Sequence, residues 1–123
     1  MDCNLCFYGG DYDAAEAYTE RWRVARKAHK CCECSREIAP GTRYQNTFGV
    51  WDGSVSTYKT CAECAEIRVA FSCDGGWLFG ELWMNLRDGF ERITTGCFEK
   101  LETASAKAFL REQYIAWKFK EAR

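Results

Sequence analysis

The sequence predicts an α+β fold: a small zinc-stabilised domain in which a β-hairpin and a short helix are followed by two C-terminal helices. Three observations predict it. Two Cys-x-x-Cys hooks, Cys31-Cys32-Glu33-Cys34 and Cys61-Ala62-Glu63-Cys64, stand 26 residues apart. The residues between them alternate and turn as a hairpin does, and the residues after the second hook recur at helical spacing. Four thiolates brought together in this way suit one tetrahedral zinc ion, whose Zn–S distance is about 2.3 Å and whose borderline-soft character favours sulfur. The alternative, four unconnected buried cysteines, seldom has this spacing.

Each element of that core has a local reason. Pro40-Gly41 is a turn dipeptide, residues 43–50 suit a strand with Tyr44, Phe48 and Val50 two or four apart, and Asp52-Gly53 favours a tight turn before a second strand over 55–59. Ala65, Ile67, Arg68, Ala70 and Phe71 then fit a short helix with no breaker until Gly75. The order of knuckle, hairpin and hook opening a helix resembles the treble-clef class of zinc fingers, in which the second cysteine pair lies on the first turn of a helix. A helix N-terminus carries partial positive charge and free N–H groups, which favour thiolate there. A closed structural site at Cys31, Cys34, Cys61 and Cys64 is therefore expected.

The 123 residues fit one domain over 1–123, with a zinc-finger core over 31–71 and a helical extension over 72–123. With 47% hydrophobic residues, 15% aromatic residues and one proline, the composition is that of a chain able to build a core. Seventeen basic against eighteen acidic residues give a net charge of −1, so no overall field draws the chain to phosphate or membrane. Nine cysteines are far above ordinary usage. The N-terminus lacks a basic region and an apolar run of signal-peptide length, and no stretch approaches the roughly 18 apolar residues of a membrane span. The expected compartment is a reducing cytoplasm, where clustered cysteine means metal more often than disulfide.

Cys3 and Cys6 make a third hook. Setting aside the central four, Cys32 inside the first knuckle is expected to point away from the metal, and Cys3, Cys6, Cys73 and Cys97 remain. These four are expected to hold a second zinc that pins the chain ends to its middle. His29, two residues before Cys31, and Cys32 are the competitors for a place among the ligands, and the alternative for His29 is a solvent-facing position.

Residues 9–30 change character twice. Asp11, Asp13, Glu16 and Glu20 are acidic, then Arg21, Arg23, Arg26, Lys27 and Lys30 are basic. Tyr18, Trp22 and Ala25 stand at helical spacing, yet the segment fits an extended strand equally well. Arg21, Trp22, Arg23, Arg26, Lys27 and Lys30 are a candidate nucleic-acid surface, cations for the backbone and an indole for a base. The alternative is a solvated face paired with the neighbouring carboxylates, which would also repel phosphate.

Residues 77–86 read as an amphipathic helix on Leu78, Leu82 and Leu86, widened by Phe79 and Trp83 and closed by Asp88-Gly89. The last and longest helix runs from an N-cap at about Thr103 to about Glu121. One stripe holds Phe109, Leu110, Tyr114 and Trp117, and Ala108, Ile115 and Phe119 project from nearly the opposite side. Such a helix is either sandwiched in its own fold or offers a face to another chain, including a second copy.

Several of these residues together resemble a group of small zinc-binding proteins of uncharacterised role encoded by tailed phages and prophages. The shared residues are Arg26-Lys27-x-His29-x-Cys31-Cys32-Glu33-Cys34, Ile38-x-Pro40-Gly41-x-x-Tyr44, Trp51-Asp52-Gly53 and Tyr58-Lys59-Thr60-Cys61-x-x-Cys64, with Cys73 and Gly80-x-Leu82-Trp83 beyond them. The resemblance covers most of the chain and implies a phage accessory protein acting in the host cytoplasm. Small phage proteins of this size often bind and block host machinery, which by analogy implies a host protein as partner.

Catalysis is not expected. A nuclease of the His-Asn-His type, the nearest catalytic relative of a treble clef, needs a histidine base between hairpin and helix, where this chain has none. A zinc deaminase needs His-x-Glu with Pro-Cys-x-x-Cys and an open coordination position, and neither motif occurs. Two binding readings remain. Tyr44, Phe48 and Trp51 with Ile115 and Phe119 would hold a protein, or the basic stretch 21–30 would hold nucleic acid. The near-neutral charge and the aromatic residues favour the protein.

Overall fold

The computed structural model describes residues 3–7, 17–51, 53–73 and 79–121. The chain is α+β, as expected. Strands β1 (Ala17–Val24), β4 (Arg43–Trp51) and β5 (Ser54–Cys61) form an antiparallel sheet in the order β1-β4-β5. Strands β2 (His29–Lys30) and β3 (Glu37–Ile38) form a separate small ladder around the first hook. Helices α1 (Ala62–Phe71), α2 (Leu82–Gly89), α3 (Thr95–Glu99) and α4 (Ala104–Glu121) follow, with a 3-10 turn, Phe90–Arg92, continuing α2.

The hairpin forms where the alternation and turn residues place it. Tyr44 pairs with Cys61 and Trp51 with Ser54, and Gly53 holds φ 77°, a left-handed conformation that costs glycine nothing. Asp52 lies outside the described residues. The segment left open between helix and strand is β1, in register with β4 from Ala17↔Val50 to Val24↔Arg43. Pairing along the free edge of β4 outweighs the helical spacing of Tyr18, Trp22 and Ala25.

One face of the sheet is covered by α1. There Gln45, Thr47 and Thr60 are buried together with Arg68 of α1, which is 1% exposed. Arg68 Nη2 donates to Glu33 Oε2 at 2.7 Å and to Thr60 Oγ1 at 2.9 Å, and Nη1 donates to Gln45 Oε1 at 3.3 Å. Glu33 Oε1 accepts from the Gly80 and Leu82 amides at 2.9 and 3.1 Å. A carboxylate inside the first hook thus neutralises a buried guanidinium and satisfies free amides at the start of α2.

The helical half departs from expectation in its beginning. The helix expected over 77–86 starts at Leu82, because Gly80 turns the chain with φ 90° just ahead of it. Trp77 and Leu78 lie outside the described residues. Leu82, Trp83 and Leu86 are buried as the stripe requires. Thr103 caps α4 as read, its Oγ1 accepting from the Ala106 amide at 3.2 Å, and Glu66 of α1 accepts from the Glu102 and Thr103 amides and the Thr103 hydroxyl. Phe109 and Leu110 are buried, whereas Ile115 and Phe119 are 40% and 69% exposed. The short α3 is an addition to the two C-terminal helices expected.

The N-terminal segment is stitched to this half. The Phe7 amide donates to the Phe71 carbonyl at 2.8 Å and the Cys73 amide to the Phe7 carbonyl at 2.7 Å. Leu5, 1% exposed, lies so close over Gly89 that a β-carbon there would overlap its side chain. The second zinc site expected at Cys3, Cys6, Cys73 and Cys97 is corrected: Cys3 is disulfide-bonded to Cys97 and Cys6 to Cys73. The four cysteines do join the chain end to its middle, but sulfurs shared in disulfides are not thiolates and cannot act as zinc ligands.

Candidate metal centre

Cys31, Cys34, Cys61 and Cys64 come together, with their sulfurs all within 4.8 Å of one another. Each is positioned by a different local device. Cys31 leaves β2, and its carbonyl accepts from the Ser35 amide at 3.0 Å, closing a knuckle in which Ser35 takes φ 65°. Cys34 lies in that turn. Cys61 ends β5 and is the N-cap of α1, and its sulfur accepts from the Cys64 amide at 3.5 Å. Cys64 lies in the first turn of α1, where amides and helix dipole favour a thiolate.

The geometry fits zinc. A regular tetrahedron with Zn–S of about 2.3 Å has sulfur–sulfur edges of about 3.8 Å. The Cys34 and Cys61 sulfurs are 3.8 Å apart. All four positions are sulfur, so the centre is a closed four-cysteine site that fits one zinc ion.

The thiols respond to one another as such a site requires. Cys34 is pushed down, first by its hydrogen bond with Cys31, then by those with Cys61 and Cys64, and also by Arg36. Cys31 is lowered to about 6: its bond with Cys34 raises it, and those with Cys61 and Cys64 outweigh that. Cys61 and Cys64 are pushed up, in both cases first by Cys31 and then by Cys34. Thiolate at one pair thus opposes ionisation of the other, and a dication among them removes that opposition.

Surrounding donors complete the centre. The Glu33 and Cys61 amides donate to Cys31 Sγ at 3.4 and 3.3 Å. Trp83 Nε1 donates to Cys64 Sγ at 3.3 Å, while Arg36 Nε and Nη2 donate to Cys34 and Cys61 at 3.4 and 3.7 Å. Arg36 also lies 3.6 Å over the Phe109 ring, and Trp83 meets the same ring edge-on at 5.1 Å. The sulfurs are therefore tied to α4 through Phe109. Sequence reasoning placed Trp83 in the core without its sulfur partner and missed Arg36 altogether. A cation two residues after the hook was the available signal for Arg36.

The competitors for ligand positions lie elsewhere. Cys32 turns away as expected, its sulfur 3.4 Å from Thr60 Oγ1, and burial pushes its thiol up. His29 pairs with Ile38 and packs against Tyr44 at 5.4 Å between ring centroids.

The candidate interaction residues separate. Tyr44, expected as an exposed aromatic, is corrected to a buried one at 5% exposure: it stands at the start of β4, packed against His29. Phe48 is 41% exposed. The Trp51 side chain lies outside the described residues. Strand alternation puts Arg21 and Arg23 on one face of the sheet and Trp22 on the other, where Arg43 lies 4.5 Å over its ring. Lys30 pairs with Glu37 in the small ladder. Among the described residues no helix is long and apolar enough to cross a membrane. No protein-family model, curated protein or solved structure matches the chain.

Proposed function

We propose that this chain is a non-catalytic, zinc-stapled interaction module whose docking face is the groove between α3 and α4. A zinc held by four sulfurs has no position for a water to ionise, which supports a structural metal. The order knuckle, hairpin and hook-bearing helix is what supports the treble-clef reading.

The observation that carries the docking face is the groove itself, about 1120 Å³, with Phe98, Ile115 and Phe119 in its wall. Phe119 is 69% exposed on a helix whose other stripe is already filled by Phe109 and Leu110. Large exposed aromatics next to a concave apolar surface are what interfaces use as anchors.

Charge selects the occupant. Lys107, Arg111 and Lys118 border the groove against one carboxylate, Glu99. A second copy would bring the same cations to the contact and repel. An amphipathic helix with an apolar stripe and acidic flanks matches both features. For a phage-encoded chain, as the resemblance implies, that helix belongs to a host protein.

The test is fluorescence anisotropy with a labelled helical peptide carrying a leucine stripe flanked by glutamates, and with its lysine-flanked counterpart. The acidic peptide should bind and the basic one should not. Ile115→Asp and Phe119→Asp should abolish binding without changing the melting temperature or zinc content. Equal binding of the two peptides, or a dimer in sedimentation that Phe119→Asp dissolves, would overturn this assignment.

A further inference from the structure

Apart from Cys61 at its end, the face of the β1-β4-β5 sheet turned away from Gln45 and Arg68 lies outside the metal centre and the α3–α4 groove. Register fixes what it presents. Arg23 is level with Tyr44, Arg21 with Asn46 and Lys59, and Thr19 with Phe48 and Thr57. Arg26 and Lys27 follow directly after β1.

A groove of about 1040 Å³ opens at this face, and Arg23, Arg26, Lys27 and Lys59 all line it. Asn46 and Thr57 supply neutral hydrogen-bonding groups between them. No carboxylate lines it among the described residues. The acid nearest in sequence, Glu20, is turned to the opposite face, where its Oε1 accepts from Gln45 Nε2. The repulsion expected from that carboxylate is therefore directed away.

We infer that this face binds single-stranded nucleic acid, with Arg21, Arg23, Arg26, Lys27 and Lys59 along the phosphates and Phe48 stacking a base. Two features favour a strand over a lone phosphate. The cations are spread along the sheet, where same-face residues two apart lie about 7 Å from one another, and do not converge on one point. An exposed aromatic, Phe48, 41% exposed, stands one pleat beyond them. Flat aromatic surface beside a cationic track suits unpaired bases, because the bases of a duplex are already stacked. The basic stretch of the sequence thus contributes its odd-numbered strand residues, and Phe48 takes the stacking role that Trp22, on the other face, cannot fill.

The test is anisotropy of a labelled twelve-nucleotide deoxythymidine oligomer with the zinc-loaded full chain. Five phosphate contacts, one for each of these cations, give a log–log salt slope of about −3.5, so affinity should fall about 130-fold between 50 and 200 mM salt. Lys59→Gln should reduce that slope by about 0.7. Phe48→Ala should weaken binding about ten-fold with the slope unchanged. Melting temperature and zinc content are measured on each variant, so that loss of fold is not read as loss of site. Absence of binding at roughly 100 μM protein in low salt, beyond which even non-specific affinities seldom lie, would overturn the inference. So would equal affinity for a duplex with no effect of Phe48→Ala, or displacement of the oligomer by an equimolar singly phosphorylated peptide. The α3–α4 substitutions Ile115→Asp and Phe119→Asp should leave this binding intact, which keeps the two surfaces distinguishable.

Discussion

Glu33→Gln removes one charge and little volume, and its cost follows from where Glu33 lies. Its side chain is 0% exposed and that of its partner, Arg68, is 1% exposed, with 2.7 Å between them. A glutamine can still offer an oxygen to the Gly80 and Leu82 amides. What it no longer supplies is the negative charge facing Arg68 Nη2, and Gln45 Oε1 and Thr60 Oγ1, which also accept from Arg68, are uncharged. Removing one partner of a buried ion pair costs about 3–5 kcal/mol. For a chain of this size each kcal/mol moves the melting temperature by about 4 °C, so a fall of about 12–20 °C is expected. The internal control is the Arg36–Glu63 pair, 3.5 Å apart with side chains 45% and 25% exposed. Glu63→Gln should cost no more than about 1 kcal/mol, and that effect should shrink in high salt, whereas the Glu33→Gln deficit should persist. Thermal melts followed by far-ultraviolet circular dichroism, with zinc quantified in each sample, read both. A Glu33→Gln shift no larger than that of Glu63→Gln would refute the reasoning.

Elemental analysis should return close to one zinc per chain, and Cys34→Ser or chelation should abolish cooperative melting, since structural zinc contributes on the order of 10 kcal/mol to folding. Thiol titration of denatured, chelated protein should count five thiols before reduction and nine after it, as two disulfides and five free cysteines require; nine before reduction would remove the disulfides. Glu66 is held below the ordinary carboxylate value: partial burial raises it, but the Thr103 hydroxyl and the Glu102 and Thr103 amides outweigh that. With a depressed folded value, its contribution is full above the ordinary value near 4.5 and is lost as pH falls through the lower folded value. Glu66→Gln should therefore lower stability at pH 7 and flatten its decline in acid, which urea melts across that range would show.

The parts of this molecule legible in its sequence are those whose cause is local. Ligand spacing announces Cys31, Cys34, Cys61 and Cys64, alternation announces β4 and β5, and a threonine before an apolar stripe announces the start of α4. Where the cause is a partner far along the chain, no local pattern carries it. β1 exists because β4 offers an edge, and its own residues fit a helix as well. Arg68 stands in a helical stripe as any surface cation might, and partners far along the chain, Glu33 at 35 positions earlier among them, make it a core residue. Cys3, Cys6, Cys73 and Cys97 are reached by elimination as the cysteines left over, but not as two disulfides, because counting cysteines leaves open which sulfurs pair and what joins them.

The same distinction explains how the metal centre reaches the helical half. Arg36 and Trp83 each donate to a ligand sulfur and each lie against the Phe109 ring. One is held by the knuckle and the other by α2, while Phe109 belongs to α4, so three elements distant in sequence share one cluster of sulfur and aromatic surface. Glu33 adds a second tie, from inside the hook to the amides ahead of α2. These ties connect the sulfur cluster to the helix that carries Ile115 and Phe119, which α1 also holds through Glu66 and Thr103, so a zinc bound there would support the proposed docking face from a position outside it.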